Sequence, residues 1–186
     1  MKVLIIAAHP DDEILGCGGT WNKFNREGSN VSIYIADNGR NDERDQKFDI
    51  YPINIFITEI EKKINEFKPD IVFTHFIGDL NRDHQIISEA TLVACRPQSG
   101  IKEILAYETP GSAGVSLSPF KPDTYIPIDR KDLKFKIKVM AETYIEELRQ
   151  FPHARSIEGI TYMAQFRGSE INVPLAEAFM TIRRIE

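Results

Sequence analysis

Cysteine is scarce in this chain: Cys17 and Cys95 are the only two among 186 residues. Two thiols exclude a disulfide framework, and the lack of any C-x-x-C pair argues against a thiolate-bound zinc. Both read as small core residues, with a reducing cytoplasm as the expected setting. No apolar run approaches the roughly 20 residues that span a bilayer, and the first strand is not preceded by a basic leader. Positive charge is also short, 23 Lys and Arg against 28 Asp and Glu, for a net −5. That balance argues against a nucleic-acid partner, which needs a basic footprint. Repeats, low-complexity tracts and a clear domain boundary are lacking too. The expectation is one domain over residues 1–186, large enough for a substantial core.

What the chain does contain is alternation of strand and helix. Residues 2–8 (KVLIIAA) and 31–36 (VSIYIA) are rich in branched apolar residues without clean alternation, as buried parallel strands are. A helical stretch at 14–27 lies between them and closes at Gly28. Helical spacing of Ile53, Phe56, Ile57, Ile60, Ile64 and Phe67 predicts a second helix, stopped by Pro69. Strands follow at 71–75 and 103–108, with a helix at 84–95 between them. Residues 109–125 read as a long loop, a candidate lid. Leu133, Ile137, Met140, Tyr144 and Leu148 predict an amphipathic helix, and shorter helices are expected at 155–166 and 174–183. The order implies an open, doubly wound, mostly parallel sheet with helices on both faces. Ligands of such sheets sit beyond the carboxyl ends of the strands, where His9, Asp37 and His75 fall.

The segment "AAHPDDEILGCGG" (7–19) runs the first strand into a histidine and three acids. Pro10 stiffens the turn, and the spacing of His9 and Asp12 can aim an imidazole and a carboxylate at one point. A catalytic zinc takes three N, O or S ligands and leaves room for water. "GDLNRDHQ" offers His84 as the third, with Asp83 beside it. Helix capping by Asp12 and Glu13 is the plainer alternative. A dinucleotide site, suggested by Gly16, Gly18, Gly19 and Asp37, fails on spacing and on acidic charge where a pyrophosphate would rest. The glycines instead let the first helix approach the sheet.

"AAHPDDEILGCGGT", "THFIGDLNRDHQIISEAT" and "FPHARSIEGITYMAQFRGSEINVPLAEAF" resemble the LmbE/PIG-L family of zinc-dependent N-deacetylases, in order and over nearly the whole chain. The resemblance implies a Rossmann-like fold and removal of acetyl from N-acetylglucosaminyl groups or related amides. It places zinc, or another divalent metal suited to the same ligands, on His9, Asp12 and His84. The general base falls on Asp11. Asp83 would orient a histidine, or cap its helix.

Two departures bear on the substrate. Asn81 stands where some members carry a histidine of an H-x-D-H motif, which leaves His75 or His153 to stabilise the oxyanion. His75 reads equally as a satisfied core residue. Arg155 could meet a phosphate or uronate, or form a structural ion pair; Asn81 and Asp37 complete the candidate substrate contacts. The second departure is an apparent gap: residues 39–46 run almost directly into the segment "DQKFDIYPI", where members carry another helix and strand in between. Strand 31–36 would then become a sheet edge, open to a covering loop or a partner subunit in a homo-oligomer. The expected partner is a small N-acetylated sugar. A sugar- or nucleotide-binding module without catalysis, and a zinc hydrolase of another amide, are the alternatives.

Overall fold

The computed structural model describes residues 1–37, 47–112 and 118–185. Its elements are β1 (Lys2–Ala7), α1 (Asp12–Arg26), β2 (Asn30–Ile35), α2 (Asn54–Phe67), β3 (Ile71–His75), α3 (Arg82–Ala94), β4 (Glu103–Tyr107), β5 (Thr124–Pro127), α4 (Arg130–Glu142), α5 (Ile157–Ser169) and β6 (Ala176–Arg184). One sheet runs in the order β2-β1-β3-β4-β6-β5. β1 pairs parallel with β2 and β3, and β3 parallel with β4, whereas β6 is antiparallel to β4 and β5. The mixed α/β sheet with helices on both faces is the one expected.

Period-two alternation divides the core between the two faces. Leu4, Ile6, Val72 and Ile104 meet Phe56, Ile60 and Ile64 of α2 and Ile87 and Ala90 of α3. Val3, Ile5, Phe73, Leu105 and Phe179 face the other way, against Cys17, Trp21 and Phe24 of α1. α4 and α5 pack over α1 through Ile14, Leu133, Met140 and Ile160. Gly16 explains the close approach of α1: a Cβ there would lie 2.2 Å from Cδ2 of the buried Tyr107 ring.

Three expectations need correction. Residues 174–183 were expected to be helical, and Ala, Glu, Met and Arg do favour helix, yet β6 takes them from Ala176 onward. The position between β4 and β5 needs a strand hydrogen-bonded on both sides, and this tertiary demand overrides propensity. The expected loop 109–125 ends inside β5; its tip, 113–117, with the candidate lid, lies outside the described residues. The helix expected to reach Leu148 ends at Glu142 and is followed by a 3₁₀ turn, Ile145–Glu147. β2 is an edge of the sheet, with β1 its partner among the described residues. Residues 39–46, on which the apparent gap rests, are likewise outside the described set.

Candidate active site

From β1 the chain moves to β2 on one side, then returns through α2 to β3 on the other. The reversal opens a crevice beyond the carboxyl ends of β1 and β3. His9 and Asp12 come from the β1–α1 turn, and His84 from the first turn of α3. One ligand atom from each lies within 4.8 Å of the others.

Asp12 is the hub. Its Oδ2 accepts the His9 backbone N–H at 2.9 Å and lies 3.3 Å from His9 Nδ1 and 3.2 Å from His84 Nε2. The outer nitrogens are held by two more carboxylates: His9 Nε2 by Asp83 Oδ2 at 3.0 Å, His84 Nδ1 by Asp79 Oδ2 at 3.1 Å. Each imidazole thus turns one nitrogen to a supporting acid and the other to Asp12, as metal-binding histidines do. Asp83 is fixed in turn by Phe48 N–H at 3.0 Å and by its own N–H to the Asn81 cap. Asp79 accepts from Ser112 Oγ at 2.9 Å.

The donor set fits a cation. Asp12 Oδ1 is buried without a hydrogen-bond partner, and neither His84 nitrogen is aligned for a hydrogen bond despite its close carboxylate. A buried polar atom left so is costly unless something else meets it. The electrostatics agree. Burial would raise Asp12, but the positive charge of the surrounding imidazoles, His84 among them, outweighs it and holds the carboxyl well below the usual range. Burial would lower His9 and His84, yet the surrounding acids push them up to about 10 and about 9. The cluster draws positive charge to itself, and a cation would displace those protons.

Asp11 sits beside the cluster in a left-handed conformation, φ 98° and ψ −28°. Its Oδ2 accepts from Arg155 Nη1 at 3.2 Å, and the same nitrogen reaches Glu147 Oε2 at 3.2 Å. Burial, then the charge of Asp12, push Asp11 up to about 7 against the pull of Arg155. A cleft of about 480 Å³ opens over it, lined by His9, Asp11, Asp37, Asn81, Arg155 and the turn 143–147.

The predicted residues do not all converge. His9, Asp11, Asp12, Asp83 and His84 are gathered, with Asn81, Arg155 and Asp37 on the cleft wall. His75 adjoins the cluster but is fully buried and off the cleft: its ring stacks on His84 at 4.0 Å with Nε2 3.5 Å from Asp12 Oδ2, that Nε2 accepts the Ala8 N–H at 2.9 Å, and Nδ1 lies 3.4 Å from Thr109 Oγ1. Burial and the neighbouring His84 push it well below its usual value. His153 is exposed, its Nδ1 accepting the Arg155 N–H at 3.0 Å, and it is not among the described residues lining the cleft. Arg155 pairs with Asp11 and Glu147 and also lines the cleft.

Sequence reasoning missed Asp79, Tyr144 and Glu147. Asp79 carried no periodic signal within "GDLNRDHQ". Tyr144 fell on the core face of a helix predicted to continue; because α4 ends at Glu142, it turns to the cleft, and its OH donates to Glu13 Oε1 at 2.8 Å.

Residues 4–49 match the PIG-L family, described as GlcNAc-PI de-N-acetylase. A curated relative, the uncharacterized deacetylase YaiS of Escherichia coli K12, is 28% identical over 141 residues, 59% of this chain and 75% of its own. N,N'-diacetylchitobiose deacetylase from Pyrococcus horikoshii superposes with a TM-score of 0.68 at 18% identity, covering 97% of this chain and 83% of its own. The same fold carries GalB, the 4-carboxy-2-hydroxymuconate hydratase of Pseudomonas putida KT2440, at TM-score 0.67 and 17% identity over 100% of this chain and 98% of its own. The fold therefore leaves the reaction open, and the residues of the site must decide it.

Proposed function

We propose that this chain, an LmbE-like member of the PIG-L deacetylase family, hydrolyses the N-acetyl amide of an N-acetylglucosamine-type sugar or conjugate. Acetate and a free amine are the products. The observation that carries this reading is the His9, Asp12 and His84 cluster with Asp11 next to it on the cleft floor. These three residues would hold one divalent cation, zinc in our reading. Bound there, such an ion would lower the pKa of a water and polarise the amide carbonyl. Asp11, outside the ligand set, takes the proton of the attacking water and returns it to the leaving amine. Asp83 and Asp79 keep the two imidazoles oriented, and Arg155 holds the Asp11 carboxylate.

Asn81 contributes to substrate binding. Its Oδ1 is taken by the Asp83 N–H, which leaves the amide NH₂ to donate to the sugar or its carbonyl. The relative that deacetylates diacetylchitobiose supports a small N-acetylated sugar as substrate. Residues 1–186 act as one deacetylase domain in the cytoplasm, with both thiols reduced in the core. No helix among the described residues is long and apolar enough to cross a membrane.

The test is release of acetate and free amine from N-acetylglucosamine and N,N'-diacetylchitobiose, together with metal analysis of the purified protein. His84→Ala should lose the metal. Asp11→Ala should keep it and lose about 10²–10⁴-fold in turnover. Absence of a stoichiometric divalent ion, or full activity in Asp11→Ala, overturns the assignment.

A further inference from the structure

We infer that Tyr144 is a positioning residue for Asp11, acting through the Glu13 carboxylate. The inference rests on the proposed role of Asp11 as base. Asp11 has φ 98°, a conformation that side-chain-bearing residues adopt only when their surroundings enforce it. Its carbonyl accepts from Ile14 and Leu15 at 3.1 and 2.8 Å, which ties that end of the residue to α1. The other end depends on Glu13: the Asp11 N–H donates to Glu13 Oε2 at 3.1 Å. Glu13 is 2% exposed, and its second oxygen, Oε1, is held by the Tyr144 hydroxyl at 2.8 Å. The chain of contacts is therefore Tyr144 OH, Glu13 carboxylate, Asp11 amide, across 131 residues of sequence.

The turn that carries Tyr144 acts on Asp11 a second time. Glu147 shares Arg155 Nη1 with the Asp11 carboxylate, so one turn braces both the backbone and the side chain of the base. Residues 143–147 also line the cleft, which places this brace on the wall of the proposed substrate site. Without the phenol, a buried carboxylate oxygen loses its donor, Glu13 is free to turn, and the Asp11 amide loses a fixed acceptor. A base displaced by a fraction of an ångström loses rate without losing affinity.

The experiment is a double-mutant cycle on acetate release by metal-loaded protein. Tyr144→Phe should lower kcat about tenfold and leave KM within about twofold. Bound metal should be unchanged, measured by competition with a chromogenic chelator. In an Asp11→Asn background, Tyr144→Phe should cause no further loss, because it acts through Asp11. Glu13→Gln, which offers an oxygen to the Asp11 N–H and an NH₂ to the phenol, should retain more turnover than Glu13→Ala. Unchanged kcat in Tyr144→Phe, a change in KM alone, multiplicative losses in the double variant, or equal damage from the two Glu13 variants overturns the inference. Absence of acetate release by the wild-type protein instead defeats the functional reading on which it rests.

Discussion

Lys136 and Glu177 form a buried ion pair, Nζ to Oε1 at 2.7 Å, that stands in for hydrogen bonds α1 gives up at a kink. Cys17 leaves the helical region there, with φ −145° and ψ 25°. The orphaned Leu15 carbonyl accepts from Lys136 Nζ at 2.8 Å. On the far side of the kink, the Gly19 and Thr20 N–H groups donate to Glu177 Oε1 and Oε2 at 3.0 and 2.7 Å. The carboxylate caps what is in effect a new helix N-terminus, where negative charge is favoured.

Removing Glu177 strands two backbone donors and a buried ammonium together. Glu177→Ala should therefore lose about 3–5 kcal/mol of stability. Guanidinium denaturation followed by circular dichroism measures it, and a loss below about 1 kcal/mol would contradict the capping role.

Asp79 reaches the proposed cation only through His84. Its buried Oδ2 lies 3.1 Å from His84 Nδ1. Asp79→Ala should retain the fold and bind zinc about 10–100-fold more weakly, a range typical for groups that orient a ligand. Competition with a chelator of known affinity reads this directly, and unchanged affinity would mean that Asp79 serves only its loop.

Gly16 has no room for a methyl group. A Cβ would stand 2.2 Å from Tyr107 Cδ2, and that ring is anchored by its OH to the Ile6 carbonyl at 2.8 Å. Gly16→Ala should cost about 1–3 kcal/mol through overpacking, visible as a lowered Tm.

The two thiols should resist modification in the folded protein. Burial pushes Cys95 up to about 12 and Cys17 well above its usual value. The thiolate is the reactive form, so at pH 8 both stay protonated. Ellman's reagent should find no reactive thiol in native protein and both after denaturation. Rapid reaction of either in the native state would contradict their burial.

Much of the site was legible because its residues lie close together in sequence. His9, Asp11 and Asp12 share one turn, and Asp83 and His84 one helix start. Strand ends and capping positions mark both places. Asp79, Tyr144 and Glu147 escaped because their meaning depends on partners far along the chain. Tyr144 in particular meets Glu13 only because α4 stops two residues before it.

The amino-acid sequence alone determined the β/α order as far as β4 and the placing of His9 and Asp12 in the turn after β1 and of His84 at the start of α3, since periodicity and short-range chemistry are local properties. Tertiary structure decided that residues 176–184 form a strand, that His75 is spent on the Ala8 amide, and which acids stand behind the histidines. Those outcomes turn on which buried hydrogen-bonding group finds which partner. Distant segments settle that only once the sheet has brought them together.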